Sequence, residues 1–363
     1  MPLTDLRWPP APSTDQVHAV ESAMFSRTWT EDEWTQAVEH RMTDITGAGF
    51  CVAFNSCTSA LHAALIAHGA VPGRTHLHTP AFGFAGTLTG AAHMGLPLRW
   101  HDVDLTDGNP SVAEIPEITL ALVPDLHGVP HGWDREDVIT DACQALGTLI
   151  RGAHVGDVGT ACWSFSAAKL VSAPDGGAVT TNDPEIASRL RQLRDYGVEP
   201  GEARANARVT LLGHNWRPSA LSMAMVARQL QPDVFALRAA RARAVGDLLV
   251  DALRTAGLWT QYVPAGVRPA WHKIRTGDPD LNPERSAELR AVLHDMGVPT
   301  HLWGTTPLSR HPVFRRLSRP PVIEEGNAHT LAAATFCLGT EKCPPWTWTD
   351  EEVGQVIHSI DSL

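Results

Sequence analysis

The chain has 363 residues, with 40 acidic against 29 basic side chains and a formal net charge of −11. Hydrophobic residues make up 43% and charged residues 19%, which is enough to bury a sizeable core and too apolar for extended disorder. The acidic balance excludes general binding to nucleic acid or anionic membranes, because both need basic surface, and leaves a soluble globular protein, most simply an enzyme.

In chain order, the Pro-rich, polar first 20 or so residues read as an arm. The start MPLTDLRWPPAPSTD has no basic segment followed by an apolar run, so no signal peptide is expected. TEDEWTQAVEHRMTDITG (30–47) predicts a helix capped by Thr30 and closed by Gly47. FCVAF (50–54) is a buried strand, and NSCTSALHAALIAHGA predicts a helix capped by Ser56 or Thr58 and ended by Gly69. Strand, polar turn and helix open an α/β domain. THLHTP (75–80) is the next strand, with FGFAGTLTGAAHMG a small-residue helix after it. LPLRWHDVD (96–104), ITLALVPDL (118–126), DVITDA (137–142), ACWSFSAAK (161–169) and GGAVTTN (176–182) continue the strands. Asp183-Pro184 starts the helix EIASRLRQLRDYG. Apolar strands alternating with helices imply a mostly parallel sheet covered on both faces. From about residue 232 a long Ala/Arg helix leads into a second region: strand RPAWHKIRT, helix PERSAELRAVLHDMG, strand ATFCLG and terminal helix TDEEVGQVIHSI. This region reads as a smaller α+β domain, giving a division into 1–240 and 241–363.

No run of about 18 apolar residues marks a membrane span. The six cysteines form no CxxC pair, so neither a zinc site nor a disulfide scaffold is indicated, and a reducing cytoplasm is the expected setting. His76 and His78 share a strand face and His301 lies near Trp303, but no carboxylate or cysteine completes a metal set, and none is expected. RAARARA (238–244) spreads its arginines over more than one helix face and reads as a solvated or interface helix. Only three residues are lysine, Lys169, Lys273 and Lys342. A lysine that persists in so arginine-rich a chain is a candidate for amine chemistry, which a guanidinium cannot perform.

Neither GxGxxG nor a Walker loop is present. Asn55-Ser56-Cys57-Thr58-Ser59 does join a buried strand to a helix, where exposed N–H groups and the helix dipole favour a phosphate; the same residues equally serve as an ordinary cap. Asp141 ends a strand at the edge where open α/β sheets bind ligands, and Gln144 follows it. Ser164–Lys169 precedes the turn Ala173–Gly177, and Gly213-His214-Asn215-Trp216-Arg217 forms a compact polar turn.

In their order and spacing these segments resemble the DegT/DnrJ/EryC1/StrS group of pyridoxal-phosphate (PLP) aminotransferases, from about residue 30 to the carboxyl terminus. NSCTSALHAAL is similar to the family's SGTxAL phosphate turn, TPAFGF to its Pro-x-[FY]-T-[FW] segment and DACQALG to its DxAQ motif. SFSAAK matches SFxxxK, PDGGAVTTND matches GEGGAxxTND, and GHNWRPS matches GxNYRxS. The resemblance implies fold type I, with a large PLP-binding domain and a smaller carboxyl-terminal one, in a homodimer. It implies that Lys169 bonds the cofactor covalently and shuttles protons, and that Asp141 keeps the pyridine nitrogen protonated. Phe84 is then expected to stack on the ring and Gln144 to lie near its phenolic oxygen. Ser56, Cys57, Thr58 and Ser164 are expected to hold the phosphate, with Asn215 reaching the site of the neighbouring subunit. The implied reaction is ping-pong transamination from glutamate or glutamine to a keto sugar, usually nucleotide-linked, or a cyclitol, in specialised, antibiotic-type biosynthesis; a lyase, dehydratase, epimerase or non-catalytic PLP-binding subunit on the same scaffold is the alternative. Arg217 is a candidate for an anionic substrate.

Four departures stand out. Cys57 replaces the family's glycine, Asp175 its glutamate and Trp216 its tyrosine. Between Gly128 and Asp141 only VPHGWDREDVIT intervenes, too little for the usual helix and strand, and 104–118 also looks trimmed. The uncovered sheet face is therefore expected to pack against a partner subunit or the amino-terminal arm.

Overall fold

The computed structural model describes residue 9 and residues 11–30, 33–110, 120–133, 135–199, 207–319 and 326–363. Within the amino-terminal stretch expected to be an arm lies a helix, α1 (Thr14–Phe25), fixed by a capping box in which Ser13 and Gln16 satisfy each other's backbone N–H groups. Ala19 and Ala23 of this helix pack against Ala220 and Ala224, and these small side chains allow close approach. The predicted Thr30 cap abuts residues outside the described set; α2 runs Glu33–Thr46.

The α/β unit follows as β1 (Phe50–Phe54), α3 (Cys57–Ala67), β2 (Leu77–Pro80), α4 (Ala85–Met94) and β3 (Leu98–His101). Next come β4 (Ala121–Pro124), β5 (Val138–Asp141), a small hairpin of β6 (Leu149–Ile150) and β7 (Ala153–His154), then β8 (Thr160–Ser164), β9 (Gly177–Thr181) and α5 (Pro184–Arg194). Seven strands form one sheet in the order β1-β9-β8-β5-β4-β2-β3. Its β3, β2, β4, β5 and β8 pairs are parallel, while β9 runs antiparallel to both neighbours. Alternate residues feed two cores. Ala53, Ala161, Trp163 and Ala178 face the core shared with Met42 and Phe165; Val52, Phe54, Cys162 and Val179 face the core shared with Leu65 and Leu88. A period of two with both sets apolar is the signature of a sheet covered on both faces.

Then α6 (Ala220–Gln229) and α7 (Pro232–Thr255) lead through β10 (Trp259–Thr260) and β11 (Val267–Arg268) to β12 (Ile274–Gly277) and α8 (Pro283–Asp295). After β13 (Thr300–His301) come α9 (Pro312–Arg315), α10 (Asn327–Ala334), β14 (Thr335–Leu338) and α11 (Asp350–Asp361). A second sheet, β10-β12-β14-β13, is antiparallel in every pairing, while β11 returns to pair with β6. The arginines of the Ala/Arg helix bridge elements: Arg238 to Gln229, Arg241 to Asp350 and Arg243 to the Gly147 carbonyl.

The short link between β4 and β5 carries only a 3-10 turn at Leu126–Gly128. Trp133, 4% exposed, folds back from the link itself onto Ala121, Val123 and Val138. The part of the 104–118 segment from residue 111 lies outside the described residues.

Candidate active site

The parallel strands end at one edge of the large sheet, and the expected site residues converge there. Ser56, Cys57, Thr58, Phe84, Asp141, Gln144, Ser164 and Lys169 all line one cleft of about 360 Å³. The ninth, Asn215, does not line it; it is exposed in the 213–217 turn, bridged through its backbone to Asp195. The Trp216 carbonyl of that turn accepts from the Asn55 N–H, 2.9 Å away. Arg217 does not line the cleft of its own chain either; it pairs with Asp195 and lies over the Tyr196 ring.

The phosphate-type turn is the start of α3. The Ser56 hydroxyl caps the helix by accepting from Ser59 N at 3.2 Å. The N–H groups of Cys57 and Thr58 find no acceptor among the described residues, at the positive end of the helix dipole. Cys57, in place of a glycine, leaves this geometry intact. Its thiol hydrogen-bonds Cys143, and that bond, burial and the Asp141 charge push it well above its usual range, so it stays protonated. The turn presses directly on β9. A Cβ on Gly177 would meet the Ser56 carbonyl carbon and the Cys57 nitrogen at 2.5 Å, so the residue has to be glycine.

Asp141 is 3% exposed. One carboxylate oxygen accepts from the Thr87 hydroxyl at 2.6 Å and the other from Cys143 N at 3.2 Å, which fixes its orientation. Lys169 stands on a turn after β8, its Nζ 4.0 Å from the Cys143 sulfur. The side-chain oxygen of Gln144 accepts the His127 N–H at 2.7 Å, leaving its amide donors for the cleft. Phe84 is 56% exposed at the mouth, its ring within 19° of parallel to Trp303 with centroids 6.5 Å apart.

Motif reasoning missed another part of the lining, contributed by the second region of the chain. His272, Lys273, Trp303 and Glu341 form it. Burial, together with the Lys169, Lys273 and His127 charges, pushes His272 well below the usual imidazole range. Arg275 behind this wall donates to the Trp303 and Leu331 carbonyls and to Thr335, holding Trp303 in place. In the sequence the scarcity of lysine pointed at Lys169, while Lys273 and Lys342, outside the motifs, read as structural by default. Elsewhere, His78 Nδ1 lies 2.8 Å from His101 Nε2, and His76 accepts from Arg99.

Comparison with known proteins converges on the same assignment. The sequence profile of the DegT/DnrJ/EryC1/StrS aminotransferase family matches residues 11–120 and 135–361. The chain is 29% identical over 348 positions to Protein MosB of Rhizobium meliloti, a match covering 85% of this chain and 67% of that protein. Its fold is similar to that of 3-amino-5-hydroxybenzoic acid synthase, with TM-score 0.84, 21% identity, and 98% of this chain and 97% of that one covered. It is also similar to the sugar aminotransferase CalS13 from Micromonospora echinospora, with TM-score 0.82, 23% identity, and 97% and 98% covered.

Proposed function

This chain belongs to the DegT/DnrJ/EryC1/StrS family of PLP-dependent aminotransferases, and from that premise we propose that it transfers an amino group from glutamate or glutamine to a keto sugar, nucleotide-linked, or to a cyclitol ketone, in a specialised biosynthetic route. The observation that carries the assignment is the convergence of Lys169, Asp141 and the start of α3 on one cleft. The residues present fit the cofactor. The free N–H groups of Cys57 and Thr58 and the Ser164 hydroxyl suit a phosphate. The buried Asp141 suits a protonated pyridine nitrogen, the Gln144 amide a phenolic oxygen, and Phe84 a ring face.

When bound, PLP supplies an electron sink for the carbon that loses its proton. The chain's own part is to place groups around that carbon. Lys169 offers the amine that takes up and returns the proton at Nζ. Thr87 and the Cys143 N–H hold the Asp141 carboxylate aligned. Trp303, braced by Arg275, narrows the cleft against water.

Three further points belong to the proposal. Asn215, exposed in its turn, serves a partner's cleft in a homodimer. The enzyme works in the cytoplasm; no helix among the described residues is long and apolar enough to cross a membrane. The chain divides at 240/241: the second sheet lies wholly beyond that point, and α7 runs through it as a shared brace.

Mixing the purified holoenzyme with glutamate or glutamine tests the reaction. Bleaching of the cofactor band with release of the 2-oxo acid is expected, followed by its return when the correct ketone is added from a panel of keto-sugar nucleotides and cyclitol ketones. Glutamate and glutamine both left unconverted would sink it.

A further inference from the structure

Lys273 is one of three lysines in the chain, and the cofactor contacts leave it unused. It immediately precedes β12, lines the same cleft as Lys169, and is 3% exposed. It makes no hydrogen bond or ion pair among the described residues. Glu341 lines the same cleft without pairing with it. A buried ammonium without a counter-ion is costly. Burial pushes this one down from the usual lysine range, the Cys337 and Glu341 charges pull it back, and Lys169 adds to the depression.

The other cations do not fill the cleft. Arg275 spends its guanidinium on Trp303, Leu331 and Thr335. Arg217 is held by Asp195. Burial and neighbouring charges hold His272 neutral. Lys169 and Lys273 are therefore the cations that line the cleft among the described residues. Lys169 is committed to the reacting amine.

Resting on the transamination reading, we propose that Lys273 receives the α-carboxylate of the amino donor. In an α-amino acid the carboxylate carbon lies two bonds from the reacting nitrogen, so its anion site must sit beside the reacting amine. The phosphates of a nucleotide sugar lie beyond the sugar ring and would fall outside this part of the cleft. A compact ammonium, unlike a forked guanidinium, suits one carboxylate oxygen in a narrow wall.

The test compares wild type with Lys273→Met and Lys273→Arg as holoenzymes, each checked for the bound-cofactor absorbance. The rate constant for the glutamate or glutamine half-reaction at low donor concentration should fall about tenfold to hundredfold in Lys273→Met, the scale of a charged hydrogen bond, chiefly through KM. Calorimetric affinity for glutarate, an unreactive dicarboxylate, should fall with it, and Lys273→Arg should recover part of both. The reverse half-reaction with a carboxylate-free amino sugar should stay within about twofold. Unchanged glutarate affinity, or equal loss in both half-reactions, overturns the assignment. A wild-type holoenzyme that converts no amino acid overturns the transamination reading and this inference together.

Discussion

Two stretches along the same sheet solve opposite problems. At the carboxyl edge of β1, β5 and β8 the chain keeps polar groups unsatisfied: the Cys57 and Thr58 N–H groups and the Gln144 amide line a cleft in which the Lys169 amine meets only the Cys143 sulfur, at 4.0 Å. One link away, between β4 and β5, the chain is short of a covering helix and packs on itself instead, with Trp133 laid over Ala121, Val123 and Val138. The first region holds its arrangement for a ligand; the second exists to exclude water. A chain can thus lose an element of its scaffold where packing alone is required, and keep its length where several groups must converge on one point.

The sharpest way to test that separation begins at the cleft. Lys169→Ala should leave no borohydride-fixed cofactor adduct and lower transamination about a thousandfold or more, as expected for removing a proton shuttle, with an unchanged urea unfolding midpoint. A retained adduct would move the covalent site elsewhere. Gly177→Ala should act next. Its methyl group would meet Ser56 and Cys57 backbone atoms at 2.5 Å, and backbone cannot yield as a flexible side chain can. The start of α3 must then shift, and cofactor affinity should fall about tenfold, read by titrating the apoprotein. Wild-type affinity would mean that this contact does not shape the phosphate end.

Much of the first region was legible in the sequence, because its groups sit within a few residues of a strand end. Ser56, Asp141, Ser164 and Lys169 are placed by local chain geometry that a short motif records. The second wall of the cleft was not. His272, Lys273 and Trp303 reach it because the second sheet docks beside the first, and no local spacing encodes that docking. The helix α1 was hidden for another reason: its Pro-rich approach masked the Ser13–Gln16 capping box. The missing crossover was visible as a count of residues, but its replacement by Trp133 was not, since a lone tryptophan in a loop carries no periodicity.

The flank provides the next test. Trp133→Ala should cost about 3–5 kcal/mol of unfolding free energy, the range for truncating a buried aromatic, seen as a lower urea midpoint at unchanged slope. The bound-cofactor absorbance and the donor half-reaction should stay at wild-type values. If activity fell in step with stability, the two regions would be one cooperative unit, and the separation drawn above would fail.

The smallest effect probes the same flank through protons. His131 is buried beneath Trp133; its Nδ1 accepts the Trp133 N–H at 3.0 Å, and its Nε2 lies 3.1 Å from the Thr140 hydroxyl. Burial pushes it down to about 4, although the Asp125 carboxylate, 3.8 Å away, would favour its charged form. In the unfolded chain the ring titrates near about 6.5. Between these values the unfolded state binds the extra proton, so stability present above about pH 6.5 is lost as the pH falls toward about 4. His131→Gln, which cannot titrate, should be less stable than wild type at neutral pH, and the gap should narrow steadily through that window. His62 and His78, also held near about 4, contribute the same acid slope to both proteins and cancel in the difference. Parallel acid limbs would show that His131 titrates alike in the folded and unfolded chains, and that the link between β4 and β5 is open to water rather than sealed.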